Sequence, residues 1–173
     1  MVKLVPLTPC DGLLPIEIGG VTVSKVLPKA LTSVAPFKGQ EKAVSAALKK
    51  AVGDGLPEVG QRAGAVTWFG HGMYLVADRV ALDGAAVTDQ SDAWAVVEIA
   101  GAGAEDVLAR LVPIDLRSAG FPKNSVAKTM LAHLSITIVR TGPDRFEIMA
   151  MRSMATTLVH DLKTAMKGLA ARD

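Results

Sequence analysis

Cysteine occurs once in 173 residues, aromatic residues make up 4% of the chain, and the formal net charge is only +2. Each shortage excludes something. A single Cys10 permits no internal disulfide framework and suits a reducing compartment. No His or carboxylate stands near it in a ligand-like spacing, so it argues for neither a metal site nor an activated nucleophile. The basic residues are scattered, with no stripe and no aromatic platform beside one, which argues against a nucleic-acid partner. Lys49-Lys50 reads as a solvated pair at a helix end. Long apolar runs are missing too: His133, Ser135 and Thr137 break Met130–Val139 well short of a membrane span. Pro6 and Pro9 interrupt the N-terminal apolar run before a signal-peptide core forms. The expectation is a cytoplasmic chain that meets neither membrane nor nucleic acid.

What the chain has in quantity is aliphatic surface. Half of it is hydrophobic, and the mean hydropathy is +0.33. Its length suits one globular unit with a real core. The apolar excess has two readings, an Ala-rich core or an apolar surface covered by a partner.

One pattern occurs twice: an apolar strand, a Gly-containing turn, a short amphipathic helix and a two-stranded hairpin. The clearer copy has a strand at Trp94–Ile99, a turn at Gly101-Ala102-Gly103 and a helix over Ala104–Val112, where Pro113 stops it. A strand at Met130–Val139 then turns at Thr141-Gly142-Pro143-Asp144 into Arg145–Met151. A final helix is expected from an N-cap at Ser153, burying Ala155, Leu158, Leu162, Ala165 and Leu169. The fainter copy has a strand from Thr32 to Lys38-Gly39 and a helix over Gln40–Val52. Its hairpin, Ala65–Phe69 with Met73–Ala77, is joined at Gly70-His71-Gly72. Only Arg79–Thr88 follows, too little for a second helix. The predicted fold class is α+β: two ferredoxin-like β-α-β-β halves, 31–88 and 89–173, forming antiparallel sheets with helices on one face. Residues 1–30 carry Pro6, Pro9, Pro15 and Pro28, so they are expected as an extended arm with at most one short strand, Val21–Val26.

No pattern in the chain assembles a catalytic constellation. Gly101-Ala102-Gly103 opens a helix after a strand, yet Asp106 stands where a dinucleotide fingerprint needs its third glycine, and an acid there repels a pyrophosphate. A tight turn is the better reading. His71, His133 and His160 are expected in a hairpin turn, on the polar face of a strand and on the outer face of a helix. Asp89, Ser91 and Asp92 read as turn chemistry, and Trp68, Phe69, Tyr74 and Trp94 as core. The predicted site is therefore empty of catalytic, cofactor-binding and metal-ligating residues. Candidate subunit-contact residues are Leu4, Val5, Leu7, Leu13 and Leu14 in the arm, with Met149, Met151 and Met154 at a strand end and helix start. For the arm the alternative is folding over its own domain. For the methionines it is filling a gap between the halves.

Several stretches resemble a known family. Asp89–Ile99, Gly101-Ala102-Gly103-Ala104, Pro113-Ile114-Asp115-Leu116 with Phe121-Pro122, Leu131-Ala132-His133, Arg140-Thr141-Gly142 and Arg152-Ser153 resemble the gamma subunit of heterotetrameric sarcosine oxidase. Trp68-Phe69-Gly70 and Met73-Tyr74-Leu75-Val76 match more loosely, and the short link Arg79–Thr88 departs from the family pattern. The resemblance implies the folate-binding-domain fold of glycine-cleavage T-proteins. It also implies membership of a four-subunit flavoenzyme that oxidatively demethylates sarcosine to glycine, yielding hydrogen peroxide and either formaldehyde or 5,10-methylenetetrahydrofolate. In that family FAD, FMN, NAD and tetrahydrofolate belong to the alpha and beta subunits and zinc to delta, and gamma serves assembly. The rival class is a free-standing folate-binding or aminomethyltransferase-like protein of the same fold. No cysteine follows Cys10, which removes the Lys-Gly-Cys loop of the related iron–sulfur maintenance proteins.

Overall fold

The computed structural model describes residues 7–172, and its elements fall into two antiparallel sheets with three helices. The six-stranded sheet contains β1 (Ile16–Ile18), β2 (Val21–Lys25), β8 (Trp94–Ala100), β9 (Val126–Leu131), β10 (Leu134–Gly142) and β11 (Arg145–Met151), in the order β1-β2-β8-β11-β10-β9. The five-stranded sheet contains β3 (Thr32–Pro36), β4 (Arg62–Ala63), β5 (Val66–Gly70), β6 (Met73–Val76) and β7 (Ala85–Asp89), in the order β4-β5-β6-β3-β7. The helices are α1 (Glu41–Val52), α2 (Ala104–Leu108) and α3 (Ala155–Ala170).

Strand alternation sorts the core into layers. On β8, Ala95, Val97 and Ile99 meet α2 and α3 through Val107, Leu108, Leu158 and Leu162. Val96 of β8 and Met149 of β11 point the other way and pack on Phe69 and Leu75 of the smaller sheet. That sheet turns Val34, Val66 and Val76 onto Val44 and Leu48 of α1. The order is helices, sheet, sheet, helix, so each sheet has helices on one face only.

The structure corrects the sequence reading in five places. Over Ile16–Lys25 the expected arm is a hairpin, and β2 pairs with β8 inside the larger sheet through Thr22↔Ala100 to Lys25↔Val97. The single strand Met130–Val139 is two strands, folded at Ala132-His133 with Ala132 at φ 48°. A non-glycine left-handed residue leaves no turn signature to read. Arg79–Thr88 lacks a helix, as expected, but holds most of β7, which pairs with β3. The helix expected to reach Val112 ends at Leu108, because the next turn tightens to Arg110 N→Val107 O and Leu111 N→Leu108 O bonds while Leu111 O accepts from Ala132 N at 2.8 Å. Ser153 is not an N-cap: Arg152–Met154 form one 3-10 turn, anchored by Arg152 N→Ala93 O at 2.8 Å, and α3 starts at Ala155.

Candidate functional site

Two cavities flank the inter-sheet core. The first, about 210 Å³, is walled by Val26, Leu31, Leu75, Val96 and Met149, with Arg62 and Glu147 at its side. Arg62 comes from the edge strand β4 and Glu147 from β11, so their bond ties the two sheets. Both guanidinium Nη atoms donate to the Glu147 carboxylate, at 2.5 and 3.3 Å, and Nε donates to Thr67 Oγ1 at 2.8 Å. A bidentate pair engages both carboxylate oxygens. Glu147 is thus held by its partner rather than presented as a base.

The second cavity, about 320 Å³, lies where residues 7–10 and 25–31 cross the start of β8. Leu7, Leu27, Leu31 and Val96 give it apolar walls, Trp94 lies at its edge, and Lys25 and Arg152 border it. Trp94 stacks edge-on against Phe69, with ring centroids 5.1 Å apart. Lys25 Nζ pairs with Asp11 at 3.0 Å. The Thr8 hydroxyl, and after it Lys25, hold Asp11 well below the usual carboxylate range, at about 2. Cys10 is buried in the core beside this cavity, and desolvation pushes its thiol up, the opposite of an activated nucleophile. Asp89 does the turn chemistry expected of it, accepting from Ser91 N and Oγ at 2.9 and 2.6 Å, while Ser91 Oγ accepts from Leu31 N.

The expected contact residues do not form one surface. Leu4 and Val5 lie outside the described residues. Leu7 is exposed, Leu13 packs partly buried against the main core, and Leu14 is inside it. Met149 is removed from the candidate contact set: it is 4% exposed and fills the gap between the sheets, because its strand parity matches Val96 and not the outer surface. Met151 and Met154 are exposed. His71 and His160 are exposed where expected, in the β5–β6 turn and on α3. His133 is exposed too, but in the β9–β10 turn and not on a strand face. Among the described residues no three His, Cys, Asp or Glu side chains gather as a metal site would need.

Two further features escaped the sequence reading. Arg140 is 2% exposed at the end of β10, on the face shared by Ile136 and Ile138. Its guanidinium donates to Leu116 O, Pro143 O and Glu105 Oε2, and lies 4.4 Å over the Phe146 ring. An arginine at core parity was the available signal. Gly101 sits at φ 125°, and a Cβ there would lie 2.3 Å from Gly20 O. The close approach of the β1–β2 hairpin is therefore reason enough for a glycine at this turn.

No family model matches the chain. Sarcosine oxidase subunit gamma of Corynebacterium sp. (strain P-1) is 35% identical to it over 144 residues, covering 73% of this chain and 71% of that protein. The subunit of the same name from an Arthrobacter species is 33% identical over 144 residues, with 73% and 71% coverage. Among solved structures, a chain of the heterotetrameric sarcosine oxidase from Corynebacterium sp. U-96, in complex with pyrrole 2-carboxylate, superposes with a TM-score of 0.81 at 25% identity. That match spans 95% of this chain and 96% of the other.

Proposed function

The chain belongs to the sarcosine oxidase gamma-subunit family, and from that membership we propose that it is the non-catalytic gamma subunit of a heterotetramer with alpha, beta and delta partners. The complex would demethylate sarcosine oxidatively to glycine, releasing hydrogen peroxide and passing the one-carbon unit out as formaldehyde or to tetrahydrofolate. Gamma would serve assembly and stability in the cytoplasm; among the described residues no helix is long and apolar enough to cross a membrane. The observation that carries the non-catalytic reading is the Arg62–Glu147 pair, which ties up the one carboxylate beside the inter-sheet cavity.

Two sheet-and-helix halves around a shared core support kinship with the folate-binding-domain fold of T-proteins. The inter-sheet cavity does not fit folate itself. The inter-sheet space of about 210 Å³ falls below the roughly 300–1,000 Å³ of ordinary small-molecule sites. Glu147 is held by Arg62 rather than left to pair with a pterin. This speaks against a free-standing folate protein; FAD, FMN, NAD, tetrahydrofolate and zinc would belong to the partner subunits, as the family resemblance implies.

The test is turnover by the assembled complex. His71→Ala, His133→Ala and His160→Ala are expected to leave sarcosine oxidation within a few-fold of wild type, whereas a general base contributes ~10²–10⁴-fold. A hundredfold loss with assembly intact would place chemistry in this chain.

A further inference from the structure

The two described sheets end in four edge strands, β1, β9, β4 and β7. Three of these are protected. β1 is three residues long and follows Pro15. β4 and the start of β9 close on each other: Gln61 bridges Ser125, Arg62 N donates to Asn124 O at 2.9 Å, and Val126 N donates to Gly60 O at 2.7 Å. The rest of β9 carries Lys128. Short length, proline and lysine are the usual devices that keep an edge from pairing with another chain. β7 has none of them: Ala85–Asp89 pairs with β3 over five residues without proline, lysine or bulge. The ladder also fixes which backbone groups are spare. Phe37 N donates to Gly84 O at 2.8 Å and Gln90 N to Leu31 O at 2.7 Å, one at each end of the β3–β7 pairing. Hydrogen-bonded pairs alternate in an antiparallel ladder, so Ala86 and Thr88 direct their N–H and C=O groups to β3. Ala85, Val87 and Asp89 turn theirs outward, where no bond among the described residues takes them up. Asp83 stands just before this strand and Asp89 ends it. Neither forms an ion pair with a described residue, Lys38 and Arg79 included.

We propose that the outer edge of β7 takes an extended segment of another subunit as a sixth strand of the smaller sheet. The backbone of that segment bonds to Ala85, Val87 and Asp89, and its lysine or arginine side chains stand against Asp83 and Asp89. The inference rests on the gamma-subunit reading and adds a docking edge and the chemistry of what docks there. In strand addition the main-chain bonds supply affinity and the side chains supply register. A second copy of this chain is the poorer occupant. Antiparallel pairing of β7 with itself about Val87 sets Asp89 opposite Ala85 of the copy and diagonal to Asp83 of the copy, a like-charge contact at both ends of the ladder. A cationic segment removes that repulsion and replaces it with attraction.

The experiment titrates the full chain onto the complex lacking it and compares wild type with Val87→Pro and Asp83→Lys. Val87→Pro removes an outward N–H and sets a proline ring in the path of the incoming strand, yet leaves the bonds from Ala86 and Thr88 to β3 in place. It should weaken association about tenfold. Asp83→Lys should weaken it about fivefold at low salt, and by less as salt rises. Thermal unfolding of each isolated variant separates lost binding from lost folding. Amide exchange on the wild type needs no variant at all. The Val87 and Asp89 amides should exchange freely in the isolated chain and slow by about tenfold or more in the complex, while those of Ala86 and Thr88 are slow in both. Val87 and Asp89 amides that stay open in the complex overturn the proposal, and so does Val87→Pro binding like wild type. The same protection in this chain alone, through self-association that Val87→Pro abolishes, makes the occupant a second copy and overturns it as well. A wild-type chain that joins no subunit removes the gamma reading together with the proposal, and is recognised by the failure of every variant alike.

Discussion

Arg140→Met is expected to cost the domain about 3 kcal/mol, the low end for breaking a buried ion pair. Arg140 is enclosed while its partner Glu105 is 33% exposed, so water compensates only one side of the loss. The substitution removes the donor that Leu116 O and Pro143 O share, leaving two acceptors beneath the 113–122 loop and the β10–β11 turn without it. It also removes the cation from the Phe146 face. For a chain of this size the loss corresponds to a fall of roughly 6–12 °C in Tm. Arg140→Lys should recover only part, since a compact ammonium cannot fork toward three acceptors. Urea unfolding of the isolated chain reads both. A variant within about 1 kcal/mol of wild type would mean that the loop and turn are held by other contacts.

Gly101→Ala should be at least as damaging, on the order of 3 kcal/mol, although it adds one methyl group. The backbone at φ 125° is open to glycine almost alone, and the methyl carbon would overlap Gly20 O and press on Val21. Relief requires the β1–β2 hairpin to move off the end of β8, and with it the Thr22↔Ala100 pairing. Gly12→Ala is the matched control: its φ is 73° but a Cβ there meets nothing within 4 Å, so only the left-handed penalty of about 1–2 kcal/mol applies. Equal losses at the two positions would show that close packing of the hairpin contributes nothing.

Much of this architecture is written in local pattern. The alternation Leu134-Ile136-Ile138 and its answer in Phe146-Ile148 appear as registered pairs, Ile138 opposite Ile148 and Arg140 opposite Phe146. The stripe Val44, Leu48 and Val52 does pack under the smaller sheet. What escaped reading depends on contacts distant in sequence. The strand at Val21–Lys25 was legible, but its partners were not: β1 beside it and β8 some seventy residues on. The turn at Ala132 carries no glycine or asparagine to announce it. Met149 shows why a site on a sheet is hard to place: alternation states that it leaves one face, but only the second sheet reveals that the other face is also interior. Likewise the cavity walled by Leu7, Leu27 and Val96 joins three segments that nothing local connects.

The most direct test of the central claim is native mass spectrometry of the complex recovered through a tag on this chain, with a visible spectrum of the same sample. The account predicts a yellow assembly of four different subunits, from which this chain dissociates without flavin, folate, NAD or zinc. A chain recovered alone, or one that keeps any of those groups after dissociation, would contradict it.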